Sequence, residues 1–130
     1  MKIHFNNIFN QDKILFNDII KNIRNIIKKG SFILGKDVFE FEKNFSKYTK
    51  SKYCISCANG TDALYLALKS IKLKSSDEVI VPAMTYIATA SSVINAGAKL
   101  RLADINLDNG NINVEDLVRK INNKTKAIIV

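Results

Sequence analysis

The feature that most constrains the fold is a regular alternation of short apolar runs and helical stretches after Lys52. The apolar runs have the length and composition of strands and comprise Tyr53 to Ala58, Glu78 to Val81, Lys99 to Ala103 and Lys126 to Val130. Helical periodicity fills the intervals at Ala63 to Ile71, Ile87 to Asn95 and Val114 to Ile121. This alternation predicts a layered α/β domain with a mostly parallel sheet, right-handed crossovers and flanking helices.

Two amphipathic helices are predicted before this alternation. Apolar residues recur at helical spacing from Ile14 to Lys29, and Gly30 follows as a helix-end signal. The same spacing returns from Asp37 to Tyr48, after a short apolar loop at Ser31 to Gly35. We therefore predict an N-terminal helical part over residues 1–50 and an α/β domain over residues 51–130.

Helix-end signals sharpen two of the predicted boundaries. Gly97 follows the helix that begins at Ile87, as expected of a residue that ends a helix. Asn113 stands before the last helix with Asp116 three residues further on, a pairing that resembles a capping box with the shorter acid.

Composition excludes several classes of function. The formal charge is +8, but 17 Lys and 3 Arg are scattered along the chain, so we expect no nucleic-acid partner. No run of eighteen apolar residues is present, so we expect no membrane span and, by default, a cytoplasmic location. His4 is the only histidine and there is no second cysteine pair, which argues against a metal site.

The two cysteines form a lone C-x-x-C at Cys54 and Cys57. They lie in a predicted strand, where alternation would direct their side chains to opposite faces. We therefore expect buried, unpaired thiols rather than a redox pair.

A candidate anion site lies where the first predicted strand meets a helix, at Asn59-Gly60-Thr61-Asp62. Free amides at a helix N-terminus suit a phosphate, Gly60 allows close approach, and Thr61 offers a hydroxyl. The same residues also make an ordinary turn and N-cap, and this reading is favoured by these residues alone. Neither G-x-G-x-x-G nor G-x-x-x-x-G-K-[ST] is present, so the usual support for dinucleotide or nucleoside triphosphate binding is missing.

Two further residues follow predicted strand ends, where ligands gather in open α/β sheets. Tyr86 stands just beyond the strand that ends at Val81, where it could stack on a flat ring or simply pack at the start of a helix. Asp104 follows the next strand, and we favour a polar loop residue over a ligand contact there.

From about residue 31 to residue 130 the chain resembles the DegT/DnrJ/StrS family of aminotransferases, which act on nucleotide-linked keto sugars. The landmarks, in order, are Phe32-Ile33-Leu34-Gly35, Phe39-Glu40, Asn59-Gly60-Thr61-Asp62-Ala63-Leu64, Asp77-Glu78-Val79-Ile80-Val81-Pro82, Thr85-Tyr86-Ile87-Ala88-Thr89, Gly97-Ala98, Asp104 and Lys124-Thr125-Lys126-Ala127-Ile128-Ile129. Their order and spacing are more specific than either loop alone.

The resemblance implies a fold, a cofactor and a reaction. The fold is the N-terminal part of the large domain of fold-type-I transferases dependent on pyridoxal 5'-phosphate (PLP). Gly60 and Thr61 match the segment that holds the cofactor phosphate, Tyr86 matches the aromatic residue that stacks on the ring, and Ser31 to Gly35 resembles the loop on the substrate side. The implied reaction moves an amino group from an amino acid such as glutamate to the keto sugar, for polysaccharide biosynthesis, in a homodimer.

The resemblance also implies that no residue of this chain is catalytic. In the family, the lysine that forms the Schiff base and the aspartate that pairs with the pyridinium nitrogen both match positions beyond Val130, and both are needed. The apolar strand at the C-terminus favours an interrupted chain, so we expect the 130 residues alone to be inactive. In the resembled fold the strand Tyr53 to Ala58 pairs with later strands, so we also expect marginal folding or aggregation.

Three alternatives remain open from the sequence. The first is a PLP-dependent sugar dehydratase of the same family, in which a histidine replaces the lysine. The second is a truncated gene product without catalytic activity. The third, a flavodoxin-like or other small binding domain, is disfavoured because the ordered landmarks would then be coincidental.

Overall fold

The computed structural model describes residues 13–130, so His4 lies outside the described residues. The chain divides into two compact units after Ser56. The sequence-based division into residues 1–50 and 51–130, with a substrate side and a cofactor domain, stays a prediction.

From residue 13 onward, the first unit contains two helices, α1 at Lys13–Lys29 and α2 at Lys36–Thr49. Both predicted helices are confirmed. Gly30 follows α1 with a φ of +63°, a left-handed conformation that glycine adopts without steric cost. Lys50 is the C-cap of α2, and its N–H donates to the carbonyl groups of Lys47 and Ser46. Local periodicity and end signals therefore account for these two elements.

The prediction of a strand from Tyr53 to Ala58 is wrong for this structure. The segment has no strand pairing, and the side chains of Tyr53 and Ile55 are 74% and 84% exposed. The Ser56 N–H and hydroxyl both donate to Glu42 Oε1, each at 2.8 Å. A strand requires a hydrogen-bonding neighbour, and no described strand pairs with this segment.

Cys54 and Cys57 both lie in this unpaired segment. Both cysteines are free, as predicted, but Cys57 is exposed and Cys54 only partly buried, so the prediction of burial is wrong. The Cys57 thiol donates to the Asn59 carbonyl at 3.4 Å. Without a paired strand there is no sheet face against which the side chains could be buried.

The second unit is built in the order α3, β1, α4, β2, α5 and β3. Their bounds are α3 Gly60–Ser70, β1 Glu78–Pro82, α4 Ile87–Ala96, β2 Lys99–Ala103, α5 Val114–Lys120 and β3 Thr125–Ile128. The described strands form a parallel sheet in the order β2-β1-β3, with Val81 opposite Leu102 and Ile80 opposite Ile128. The predicted parallel α/β arrangement is confirmed for these elements, although β3 ends two residues before the predicted Val130.

The core of this unit lies around the central strand. Val79, Ile80 and Val81 of β1 are fully buried. One cluster consists of Leu68, Val79, Val81, Val93 and Ala96, so that α3 and α4 cover the same face of β1. A strand that is covered on both faces has apolar residues at successive positions, as Val79, Ile80 and Val81 show.

Candidate functional site

The turn Asn59-Gly60-Thr61-Asp62 forms the beginning of α3. Asn59 is the N-cap, and its Oδ1 accepts the Asp62 N–H at 2.9 Å. Its Nδ2 in turn donates to Asp62 Oδ2 at 3.1 Å. The Asn59 carbonyl accepts the Ala63 N–H at 3.0 Å. Two of the first four helix amides are therefore used locally, which is the ordinary capping role that the sequence also allowed.

The other two amides of the first turn belong to Gly60 and Thr61. Within residues 13–130, neither N–H has a hydrogen-bond acceptor, and the Thr61 hydroxyl has no partner either. Both residues are exposed. This donor set, together with the positive end of the helix dipole, fits the oxygen atoms of a phosphate group.

Gly60 is not required by the backbone conformation. Its φ is not in the left-handed region, and a Cβ added there would meet no atom within 4 Å. The space over its Cα is therefore open, and glycine at this position does not relieve strain.

A cleft of about 360 Å³ lies beside this turn. Thr61, Asp62 and Tyr65 of α3 line it together with Ser92 and Asn95 of α4. Ser92 is fully buried and donates to the Thr89 carbonyl at 2.9 Å. Thr61 and Asp62 are therefore the residues through which the helix N-terminus meets this cleft.

Tyr86 is the N-cap residue of α4 and makes no side-chain cap bond. Its side chain is 77% exposed, so it does not pack into the core. Its carbonyl accepts the Thr89 N–H at 2.9 Å, and Thr85 Oγ1 lies 3.3 Å from Thr89 Oγ1. An exposed ring at a strand end is available for stacking, but Tyr86 does not line the cleft that Thr61 lines.

The loops that follow β1 and β2 are joined by backbone hydrogen bonds. The Ala83 N–H donates to the Ala103 carbonyl at 2.7 Å, which extends the parallel pairing by one residue. The next residue, Asp104, accepts the Ile105 N–H with its own Oδ1 at 2.9 Å. Its carboxyl thus serves the loop, as the sequence analysis favoured.

Asp116 is a functional candidate that sequence reasoning treated only as a capping residue. Its N–H donates to Asn113 Oδ1 at 3.0 Å, which confirms half of the capping box. The reciprocal bond is absent among the described residues, because Asp116 Oδ2 instead accepts the Asp104 N–H at 2.7 Å. That contact joins residues twelve apart, so the local pattern carried no signal for it.

Charge interactions around Asp116 hold it ionised. The Asp104 N–H, followed by the Lys120 ammonium group at 2.6 Å and more weakly Arg119, lowers the pKa of this carboxyl below its ordinary value of 3.8. Glu78 shows a similar effect at the opposite, N-terminal end of β1. The Asn122 amide and then Arg101 at 2.9 Å lower its pKa below 4.5.

Two other kinds of site are absent from the part of the chain that the structure describes. No helix there is long and apolar enough to cross a membrane. No group of three or more His, Cys, Asp or Glu side chains within residues 13–130 converges as metal ligands would.

A family model for the DegT/DnrJ/EryC1/StrS aminotransferase family matches residues 13–130. A UDP-2-acetamido-2-deoxy-3-oxo-D-glucuronate aminotransferase of Pseudomonas aeruginosa is 39% identical over 98% of this chain. The chain spans 35% of the length of that relative.

Solved structures show the same likeness in three dimensions. A DegT DnrJ EryC1 StrS aminotransferase from Brucella abortus matches with a TM-score of 0.88 and 33% identity, covering 98% of this chain and 36% of the other. The GDP-4-keto-6-deoxy-D-mannose-3-dehydratase of E. coli, solved with bound hydrated PLP, matches with a TM-score of 0.77 and 30% identity. The match to the dehydratase covers 84% of this chain and 30% of the other. The predicted fold, that of the matched part of PLP-dependent aminotransferases, is confirmed.

Proposed function

Because the chain belongs to the DegT/DnrJ/EryC1/StrS aminotransferase family, we propose that it supplies the phosphate- and ring-binding part of a PLP-dependent nucleotide-sugar aminotransferase. The observation that carries this proposal is the pair of free amides at Gly60 and Thr61, next to the free Thr61 hydroxyl. They provide three donors for a phosphate at the positive end of α3.

The chain's own residues bind and orient the cofactor in this proposal. Gly60 and Thr61 hold the phosphate, and Tyr86 stacks on the ring from the start of α4. PLP, when bound, supplies an electron sink for the carbon that carries the amino group. No lysine of these 130 residues is assigned to the Schiff base, and no aspartate to the pyridinium nitrogen.

The proposed substrates are a nucleotide-linked keto sugar and an amino-acid donor such as glutamate. The sugar class follows from the named activity of the Pseudomonas relative. We further propose that the protein works as a homodimer in the cytoplasm. The chain spans about a third of its relatives' length. The activity, the substrates and the homodimer are therefore proposals for the full protein and are not findings on these 130 residues.

The phosphate contact can be tested with Thr61→Val and its matched control Thr61→Ser, which keeps the hydroxyl. A hydrogen bond to a charged group contributes about 1.5 to 3 kcal/mol, so T61V should weaken PLP binding by about tenfold or more. T61S should remain close to the wild type. Titration of PLP followed by cofactor absorbance gives the dissociation constants, and equal values for both variants would remove Thr61 from the site.

The ring contact can be tested with Tyr86→Ala and its control Tyr86→Phe. Aromatic stacking contributes about 0.5 to 1.5 kcal/mol beyond burial, so Y86A should weaken binding by roughly two- to tenfold, whereas Y86F should not. If the wild-type protein binds no PLP in these titrations, a gene product without catalytic activity becomes the better account.

A sugar dehydratase is the second candidate function, because the chain is also similar to the E. coli dehydratase, at 30% identity. The two activities differ in their products. An aminotransferase consumes the amino donor and yields an amino sugar, whereas a dehydratase yields a deoxygenated keto sugar. Mass analysis of the sugar product, with a nitrogen-labelled donor, separates them.

A further inference from the structure

We propose that Asp116 is a positioning residue for the candidate cofactor site and acts through the backbone of Asp104 and Ala103. This inference rests on the proposed function, because the site that Asp116 positions is the one assigned to PLP. Asp116 itself contacts neither of the residues proposed to bind the phosphate. Its effect is transmitted through two strand-end loops of the second unit.

The first step is a closed set of hydrogen bonds around Asp104. Asp116 Oδ2 accepts the Asp104 N–H at 2.7 Å, and the Asp104 carbonyl accepts the Asn113 N–H at 2.8 Å. Asn113 Oδ1 accepts the Asp116 N–H at 3.0 Å and so completes the set. Both backbone groups of Asp104 are thereby fixed to the beginning of α5. A backbone held at two points has little freedom to shift.

The second step leads from Asp104 to the loop that carries Tyr86. Ala103, directly before Asp104, is fully buried, and its carbonyl accepts the Ala83 N–H at 2.7 Å. Ala83 is the first residue after β1, and Tyr86 follows it by three positions. A shift of Ala103 would therefore be passed to the segment from Ala83 to Tyr86. The exposed Tyr86 ring has no packing of its own that would resist such a shift.

The third step concerns why an aspartate serves at this position. A charged acceptor makes a shorter and stronger hydrogen bond than a neutral one. Lys120 Nζ lies 2.6 Å from the same Oδ2 atom, and Arg119 Nη2 lies 3.5 Å from Oδ1. Two side chains of the same helix therefore hold the carboxylate in place. Glu115 is the adjacent acid in the same helical turn, is exposed, and has no partner among the described side chains. It provides a matched control.

The first measurement is hydrogen exchange in the cofactor-free protein expressed from the natural reading frame. Asp116→Ala should speed exchange of the Asp104 amide by about tenfold and that of the Ala83 amide by a smaller factor. Asp116→Asn retains an oxygen acceptor without the charge and should restore both in part. Glu115→Ala should change neither. If D116A does not fold, Asp116→Ser, which is too short to reach Asp104, takes its place.

The second measurement is PLP binding, followed by the dissociation constant and by the circular dichroism that the cofactor acquires on binding. D116A should weaken binding by about tenfold and change the dichroism per bound cofactor, because ring orientation depends on Tyr86. D116N, which keeps an oxygen acceptor but loses the charge, should bind PLP with an affinity between those of D116A and the wild type, and E115A should be unchanged.

The outcomes separate the two proposals. Wild-type protein that binds no PLP overturns the proposed function and this inference with it. If the wild-type protein binds PLP and D116A binds it equally well, this inference alone is overturned. The same holds if E115A loses as much binding as D116A. Loss in D116A with partial rescue in D116N, accompanied by the exchange pattern above, supports positioning by Asp116.

Discussion

The two units use apolar residues in opposite ways. In the second unit, Val79, Ile80 and Val81 are fully buried by neighbouring strands and helices. In the first unit, α2 has no buried residue, and the apolar stripe of α1 is about half exposed along its length. The stripe consists of Leu15 at 52%, Ile19 at 47%, Ile23 at 46% and Ile27 at 59% exposure.

The difference shows that an amphipathic pattern specifies a helix without specifying what covers it. The aromatic face of α2 illustrates this, because its rings contact one another along the helix instead of entering a core. Phe41 and Phe45 lie 5.6 Å apart between ring centroids, and Phe45 and Tyr48 lie 6.3 Å apart. Burial within the second unit, by contrast, comes from residues distant in sequence. Stability should therefore be concentrated in the second unit.

The largest expected effect is that of Ile80→Ala in β1, set against Ile23→Ala in α1. Truncation of the fully buried Ile80 should lower the free energy of unfolding by about 2 to 5 kcal/mol. The same change at Ile23 removes a half-exposed side chain and should cost well under half as much. Chemical denaturation gives both values. Equal losses would contradict this comparison, because they would mean that the apolar face of α1 is covered in solution.

A smaller effect is expected at the cap of α5. Asn113→Ala removes the acceptor for the Asp116 N–H and should cost about 1 kcal/mol. The matched change in the first unit is Ser46→Ala, which removes only a hydroxyl bond to the Lys43 carbonyl within α2. Its cost should be close to zero. Hydrogen exchange resolved by residue distinguishes local fraying of α5 from a global effect, and a silent N113A would contradict the capping role.

The third expected effect is a pH dependence of stability that comes from Glu78 in the second unit. Its folded-state pKa lies below the ordinary 4.5 because of Asn122 and Arg101. A depressed pKa stabilises the fold above pH 4.5, and that contribution is lost as the pH falls from 4.5 through the folded value. Glu78→Gln should flatten this part of the stability profile relative to the profile of the wild type. Denaturation at a series of pH values measures both.

The smallest effect is expected from Glu42 in the first unit. The Ser56 N–H, and then its hydroxyl, lower the pKa of this carboxyl below 4.5. Protonation as the pH falls below 4.5 should weaken both bonds, but they anchor only an exposed segment. We expect faster exchange of the Ser56 amide in Glu42→Gln with little change in global stability. A global loss as large as that of E78Q would place the segment in the cooperative fold.

The candidate site was predictable where its geometry is local. The N-cap at Asn59 and the free amides of Gly60 and Thr61 follow from the start of a helix. The contact between Asp116 and the Asp104 N–H was not predictable, because it forms only when the end of β2 lies beside the start of α5. For the same reason, the cleft that brings Ser92 and Asn95 beside Thr61 carried no sequence signal.

The sequence by itself determined the helices, the apolar runs that could become strands, and the ordered landmarks of the family, because these depend on side-chain period and on glycine and capping residues at fixed positions. Only the tertiary structure decided whether an apolar run became a strand. Glu78–Pro82 did so between two neighbours, whereas the equally apolar segment from Tyr53 to Ala58 remained unpaired. The physical reason is that a strand forms only where a neighbouring strand pairs with its backbone groups, whereas a helix pairs its own.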